Sequence, residues 1–139
     1  MNYEFFVLGK PAPQGSKRLL GTALIESSNA LKPWRTDCKM SALHSRPSDW
    51  CMDQPVRIDV EFRFKRPKSH CNRSGVRSNA PRFPQTRSVG DIDKLSRALL
   101  DACTEVAYND DSQVVSLNAT KAYCVDDQPQ GAQVTITLL

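Results

Sequence analysis

Hydrophobic and polar residues alternate along residues 55–64, which places apolar side chains on one side of an extended chain and charged side chains on the other. This period of two predicts a strand with one buried face. Residues 132–138 alternate in the same way and predict the last strand of the chain. A first strand is predicted at residues 3–9, ended by the turn-rich segment 10–15, and a further strand is predicted to begin at Asp111, in residues 111–125.

A longer period marks residues 91–105, where apolar residues recur every three or four positions. This spacing predicts a helix with one apolar stripe facing a sheet. The stripe consists of Ile92, Leu95, Leu99, Ala102 and Val106. A weaker helical pattern between Trp34 and Leu43 predicts a first helix, and residues 19–33 are assigned to an irregular hairpin.

The order of these elements predicts an α+β fold. We expect a small mixed, mostly antiparallel sheet with two helices packed on one face and a long basic loop before the second helix. A chain of 139 residues is long enough for one modest core but not for two, so residues 1–139 are predicted to form a single domain.

Positive charge is concentrated in residues 63–87, here called the basic segment. It carries a charge of +8 in a chain whose net charge is +4, so the rest of the chain sums to −4. Its cations are Arg63, Lys65, Arg66, Lys68, Arg73, Arg77, Arg82 and Arg87. The segment has no apolar periodicity and is rich in loop-forming residues. One interpretation is a solvated loop, and the other is a surface that neutralises DNA phosphates.

Carboxylates form two clusters around the predicted second helix. Asp91 and Asp93 lie at its beginning, and Asp110 and Asp111 lie after its end. Each has a structural interpretation, because an Asp can cap a helix, complement its dipole or begin a turn. Together they offer the oxygen ligands that Mg²⁺ shares with phosphate groups. Both interpretations remain open at this point.

Within the helix, Asp93, Arg97 and Asp101 recur at every fourth position and share one side. They can form an exposed row of ion pairs. Alternatively, Arg97 or Lys94 can direct its charge towards a phosphate and stabilise the negative charge that develops during hydrolysis.

Several classes of protein do not fit the sequence. The five cysteines are scattered and lack the close spacing of a zinc site or a disulfide framework, so we expect reduced thiols. No apolar run is long enough for a membrane span, and the first residues do not form a signal peptide. We therefore expect a cytoplasmic protein that does not contact a membrane.

Two stretches of sequence resemble a known family. Residues 91–102 read D-I-D-K-L-S-R-A-L-L-D-A, and residues 109–115 read N-D-D-S-Q-V-V, with Lys121 downstream. This arrangement resembles RusA-type Holliday junction resolvases, which are common in phages and prophages. The resemblance implies that Asp91, Asp93 and Asp111 are metal-binding catalytic acids. It also implies that Asp101, Asp110 and Lys121 support them.

Two positions depart from the family pattern. Lys94 stands where the family has Asn, and Arg97 stands where the family has a catalytic Lys. Arg keeps the positive charge but differs from Lys in geometry and hydration. Either Arg97 or Lys94 can replace the family lysine as the group that contacts phosphate.

The resemblance implies a homodimeric, Mg²⁺-dependent and structure-selective endodeoxyribonuclease, with Mn²⁺ as the alternative ion and no small-molecule cofactor. It would resolve four-way DNA junctions by paired symmetric nicks in recombination and repair, in the host cytoplasm or nucleoid if the protein is phage-encoded. Two alternatives remain: a catalytically weak module that binds junctions, and a structure-selective RNA nuclease that uses the same carboxylates.

The predicted helix poses a geometric problem, because it is about 20 Å long at about 1.5 Å per residue and separates the two acidic clusters. The clusters can meet within one subunit only if residues 105–110 run back along the helix. Otherwise Asp111 reaches the site from the partner subunit of a dimer.

Overall fold

A computed structural model describes residues 1–15, 17–20, 23–26 and 29–139, with the backbone alone for the second and third of these ranges. The helices are α1 (Leu31–Ser45) and α2 (Ile92–Cys103). The strands are β1 (Asn2–Leu8), β2 (Lys17–Leu20), β3 (Ala23–Glu26), β4 (Val56–Phe64), β5 (Cys71–Asn72), β6 (Gly75–Val76), β7 (Val114–Tyr123) and β8 (Gly131–Leu138).

The main sheet has four strands in the order β1-β8-β4-β7. β8 runs antiparallel to both β1 and β4, whereas β7 runs parallel to β4 and forms an edge of the sheet. Two further antiparallel pairs, β2 with β3 and β5 with β6, are separate from it. The predicted α+β class, with a small mixed and mostly antiparallel sheet, is confirmed.

Alternation in β4 separates the two faces of the sheet. Its apolar side chains, from Val56 to Phe64, are buried, while Arg57 and the other polar residues lie on the open face. α1 packs against β1 and α2, and α2 also packs against β7, so both helices cover one face as expected. The apolar side chains between these layers form the core.

The apolar stripe of α2 is largely confirmed, with one exception. Leu95, Leu99 and Ala102 are buried, but Ile92 is 39% exposed. Ile92 is the first residue of the helix, whereas its buried residues lie from Leu95 to Cys103. Ala98 and Cys103, which the predicted stripe left out, are buried in the core.

Two predicted starts were wrong by three residues. α1 begins at Leu31 rather than at Trp34, because Pro33 occupies the first turn, where its missing N–H would have no helical partner in any case. β7 begins at Val114 rather than at Asp111, because Asp111–Gln113 form a short 3₁₀ turn before the strand. Of the hairpin predicted at 19–33, residues 21, 22, 27 and 28 lie outside the described residues.

The basic segment overlaps the end of β4, which continues to Phe64 as predicted. Arg63 therefore lies in a strand, where its Nε donates a hydrogen bond to Glu61 at 2.6 Å and its side chain is only 17% exposed. The loop from Lys65 to Asp91 contains no regular element longer than three residues. The predicted long basic loop before the second helix is thus confirmed, without Arg63.

All five cysteines are free, and Cys38 and Cys103 are buried. Burial raises the pKa of the Cys103 thiol to about 12. No helix in the described part of the chain is long and apolar enough to cross a membrane.

Candidate active site

A tight turn after α2 sends the chain back along the helix. Glu105 adopts a positive φ of 67°, and its amide donates to the Tyr108 carbonyl at 2.7 Å. The buried Tyr108 hydroxyl then donates to the carbonyl of Leu100, eight residues earlier, at 2.8 Å. The Trp50 indole holds the same turn by donating to the Ala107 carbonyl at 2.8 Å. Residues 105–110 therefore return along α2, which is the condition for the two acidic clusters to meet within one subunit.

A capping box then orients the second acidic cluster. The Asp110 carboxylate accepts a hydrogen bond from the Ser112 amide at 2.9 Å, and Gln113 Oε1 accepts from the Asp110 amide at 2.9 Å. The bonds from Ser112 lower the pKa of Asp110. Gln113 Nε2 also donates to the carbonyls of Met52 and Gln54. Asp110 and Gln113 thus have structural roles, and the neighbouring Asp111 carboxylate makes no such bond with a described residue.

A cavity of about 330 Å³ lies between α2 and β7. Its walls are formed by Asp93, Ser96, Arg97, Leu100, Asp101, Asp111, Val114 and Leu117. Carboxylates from both acidic clusters therefore meet in one cavity of a single chain. This is the first of the two arrangements considered from the sequence, and the partner subunit is not needed to bring Asp111 to the site.

The charged groups of this cavity are unpaired among the described residues. No hydrogen bond or ion pair within that part of the chain involves the side chain of Asp93, Arg97, Asp101 or Asp111. The expected alternative of a row of ion pairs along α2 is therefore not formed. An arginine and three carboxylates that share a cavity without neutralising one another are available to a ligand.

The pKa of the nearby Tyr108 hydroxyl is also affected by these charges. Burial and the Cys103 thiol raise its pKa, and the carboxylates of Asp111 and Asp101 raise it further because they oppose a second negative charge.

Asp91 has a different environment from Asp93. It occupies the N-cap position of α2, but its side chain makes no capping hydrogen bond. Its carboxylate is 69% exposed and lies 3.8 Å from the Lys94 ammonium. Neither Asp91 nor Lys94 lines the cavity. Of the two candidates to replace the family lysine, Arg97 lines the cavity with its three carboxylates, whereas Lys94 does not.

Lys121 connects β7 to the beginning of α2. Its Nζ donates to the Gly90 carbonyl at 3.0 Å. Gly90 has a φ of +90°, and a Cβ there would lie 2.7 Å from the side chain of Pro13. The Gln14 amide donates to the Lys94 carbonyl at 2.9 Å. These contacts hold the beginning of α2, which includes Asp91 and Asp93, against β7 and against residues 13–14 of the same chain.

Comparison with known proteins identifies the family. The family model of endodeoxyribonuclease RusA matches residues 9–137, almost the whole chain. This chain belongs to the RusA family. It is also 29% identical over 126 residues to the uncharacterized protein YqaN of Bacillus subtilis (strain 168). The matched region covers 86% of this chain and 87% of YqaN. The family membership makes the chain a nuclease by class, and the likeness to YqaN adds no activity.

The carboxylates of this cavity are of the right chemical type to bind a hard cation, since Mg²⁺ takes oxygen ligands. Within residues 1–15 and 29–139, however, no three Asp, Glu, His or Cys side chains lie close enough together to hold a metal ion. Mg²⁺ is usually bound through one or two carboxylates, with water and substrate phosphate completing the shell. The residues therefore fit a cation that binds together with substrate.

The cations of the basic segment fall into two groups. Arg66 stacks over the Tyr123 ring at 4.2 Å and donates to the Pro81 carbonyl, and Arg77 donates to the Ser69 carbonyl at 3.2 Å. Arg82 lies over the ring of Phe83 at 5.3 Å. The second group consists of cations whose side chains form no such contact with a described residue: Lys65, Lys68, Arg73 and Arg87. All four are exposed.

Sequence reasoning missed four residues of the cavity wall: Ser96, Leu100, Val114 and Leu117. Leu117 pairs with Ile58 of β4 and so faces the helices, but the register of β4 and β7 shifts at their start and cannot be seen in the sequence. Ser96 is buried and its hydroxyl donates to the Ile92 carbonyl at 2.7 Å, which no local pattern predicts.

Proposed function

We propose that this RusA-family protein is a Mg²⁺-dependent, structure-selective endodeoxyribonuclease that resolves four-way DNA junctions. The observation that carries the proposal is the meeting of Asp93, Asp101 and Asp111 with Arg97 in one cavity of a chain from this family. The proposal includes a homodimer that makes paired symmetric nicks, because a two-fold enzyme matches the symmetry of a four-way junction.

Each side chain has a role in this proposal. Asp93 and Asp111 would hold Mg²⁺, with Asp101 beside them and Asp91 nearby at the start of the helix. A bound Mg²⁺ would supply charge stabilisation and a water of lowered pKa. Arg97 would contact the scissile phosphate, because its guanidinium keeps its charge and is not held by another described side chain.

Electrostatics gives the basic segment a place in the same reaction. Three carboxylates repel a polyanion, and this repulsion must be offset for DNA to approach the cavity. Four exposed cations of the loop before α2 supply the opposite charge: Lys65, Lys68, Arg73 and Arg87. They would contact phosphates and contribute affinity without sequence preference.

The test incubates the protein with a four-way junction, a linear duplex and a structured RNA, each with and without Mg²⁺, beside Asp93→Asn. We expect symmetric nicks in the junction that require Mg²⁺ and are lost in Asp93→Asn. Faster cleavage of RNA than of junction DNA would contradict the proposal and support the RNA nuclease.

A second candidate is a module that binds junctions but cuts them poorly. It is favoured by one observation, which is that no three potential ligands form a ready metal site within the described ranges, 1–15 and 29–139. Tight junction binding without nicking in either Mg²⁺ or Mn²⁺ would support this candidate over the nuclease.

Mixed dimers test whether each site belongs to one chain. Asp93 and Asp111 line one cavity of the same subunit, so a dimer of one Asp93→Asn and one Asp111→Asn subunit should have two impaired sites. We expect no recovery of cleavage after the two variants are co-expressed and purified as heterodimers. Recovery of about half the wild-type activity would mean that the sites are shared between subunits.

A further inference from the structure

A second groove, of about 590 Å³, adjoins the candidate active site. It lies between α1 and the last turn of α2 and is lined by Leu31, Lys32, Arg35, Thr36, Lys39, Asp101, Ala102, Thr104 and Glu105. Asp101 lines both this groove and the active-site cavity, so the two are direct neighbours. A strand of DNA that enters the cavity has the groove as an adjoining path.

One wall of the groove is basic. Lys32, Arg35 and Lys39 are three and four positions apart on α1 and share one side of the helix. They are distinct from the positions that α1 buries in the core, such as Trp34 and Cys38. Neither lysine is buried, and Arg35 is half-buried. These cations form a surface separate from the basic segment.

The opposite wall carries two carboxylates, Asp101 and Glu105. No ion pair among the described residues joins them to the cations of α1, although all of them line one groove. The groove is therefore not closed by an ion-pair network, and the α1 cations remain available to an external anion.

The spacing of the row suits a DNA backbone. Residues 32–39 span about 10 Å of helix at about 1.5 Å per residue. One strand of duplex DNA presents a phosphate about every 3.4 Å along the axis. The row is thus long enough to contact two or three successive phosphates.

We infer that Lys32, Arg35 and Lys39 bind the phosphate backbone of the DNA arm that leaves the active-site cavity past Asp101. This inference rests on the proposed function, since it takes DNA to be the substrate. The row fixes the direction of that arm and carries no sequence preference, because phosphate contacts position DNA without reading bases.

The experiment measures junction binding by the full-length protein at several salt concentrations, in EDTA so that cleavage does not interfere. The variants are Lys39→Gln, Lys39→Glu and the triple change Lys32→Gln, Arg35→Gln, Lys39→Gln. Each lost phosphate contact should reduce the slope of log affinity against log salt by about 0.9. We expect the triple change to reduce the slope by about two to three and Lys39→Glu to weaken binding more than Lys39→Gln.

Arg57→Gln is the matched control, because it removes one positive charge from the open face of the sheet, where Arg57 has Asp59, at 3.1 Å, as its ion-pair partner among the described residues. A triple variant that melts like wild type and keeps the wild-type slope would overturn the inference, while wild-type cleavage would leave the proposed function intact. If wild type neither binds nor cuts the junction, the proposed function fails and the inference fails with it.

Discussion

The acidic cavity and the basic segment are held in place in different ways. Asp111 lies in a segment held by Tyr108, whose hydroxyl bonds to α2, and by Trp50 and Gln113, whose bonds join residues 57 and 61 positions apart. The basic segment contains only short elements, and several of its cations, such as Lys68 and Arg73, have no side-chain partner among the described residues. A site that hydrolyses a phosphodiester needs fixed geometry, whereas a surface that attracts phosphates needs mainly charge. The two regions should therefore respond differently to substitution.

The largest expected effect concerns the carboxylates of the cavity. Asp93→Asn and Asp111→Asn should each lower the rate of junction cleavage at least about 100-fold, because outer-shell partners of a metal site already contribute 10–100-fold. Junction binding should be retained. The measurement is single-turnover cleavage beside a binding assay in EDTA.

Asp91→Asn serves as the comparison, since Asp91 does not line the cavity and lies 3.8 Å from Lys94. We expect a smaller loss of rate than for Asp93→Asn. An equal loss would mean that Asp91 joins the site when DNA binds.

The next effect concerns the cation of the cavity. Arg97→Gln should lower the cleavage rate by about 10²-fold, as expected for the loss of one group that stabilises the transition state. Arg97→Lys restores the family residue and should retain most of the activity. Lys94→Gln is the control, because Lys94 lies outside the cavity, and a larger loss for this variant than for Arg97→Gln would reverse the assignment.

Gln113 tests how far the active site depends on its turn. Gln113→Ala removes hydrogen bonds to the carbonyls of Met52 and Gln54 and to the amides of Asn109 and Asp110. We expect a loss of about 1 kcal/mol in the free energy of unfolding, since a typical intramolecular hydrogen bond contributes about 0.5–1.5 kcal/mol and only the bond to the Met52 carbonyl is half-buried. Urea denaturation measures this loss.

Cleavage by Gln113→Ala should also fall under conditions where the variant is fully folded, because Asp111 loses its support. Gln128→Ala is a suitable control, because this glutamine accepts a hydrogen bond from the Val125 amide in a turn that does not line the cavity. Unchanged cleavage by folded Gln113→Ala would show that the turn does not set the position of Asp111.

The smallest effect is expected in the basic segment. Lys65→Gln, Lys68→Gln and Arg73→Gln should each change the free energy of unfolding by less than about 0.5 kcal/mol, as is usual for exposed sites. Each should reduce the salt dependence of junction binding by about 0.9 in log–log slope. An unchanged slope for all three variants would mean that this loop does not contact DNA phosphates.

Much of the fold could be predicted because its signals are local. Alternation in β4 and the stripe of α2 depend only on residues two to four positions apart, and the core buries them as the pattern indicates. The boundaries that failed depend on finer features, such as the proline in the first turn of α1 and the capping box before β7.

The candidate site was only partly predictable. The resemblance to RusA-type resolvases named Asp93, Asp111 and Arg97, which do line one cavity. It gave Asp110 a supporting role but did not show that this carboxylate caps a turn, whereas the carboxylate of its neighbour Asp111 caps nothing. It also could not show that Asp101 lines the cavity and Asp91 does not, because this depends on how the α2 surface meets β7.

The sequence by itself determined the strands, the second helix, the charge of the loop and the family motif, since each is carried by neighbouring residues. Only the tertiary structure decided how the two acidic clusters meet. That meeting requires the chain to reverse after Cys103, which depends on bonds between residues far apart in sequence, such as Trp50 with Ala107. The tertiary structure also decided that the α1 cations lie beside Asp101, because the packing of α1 on α2 brings these side chains to one groove.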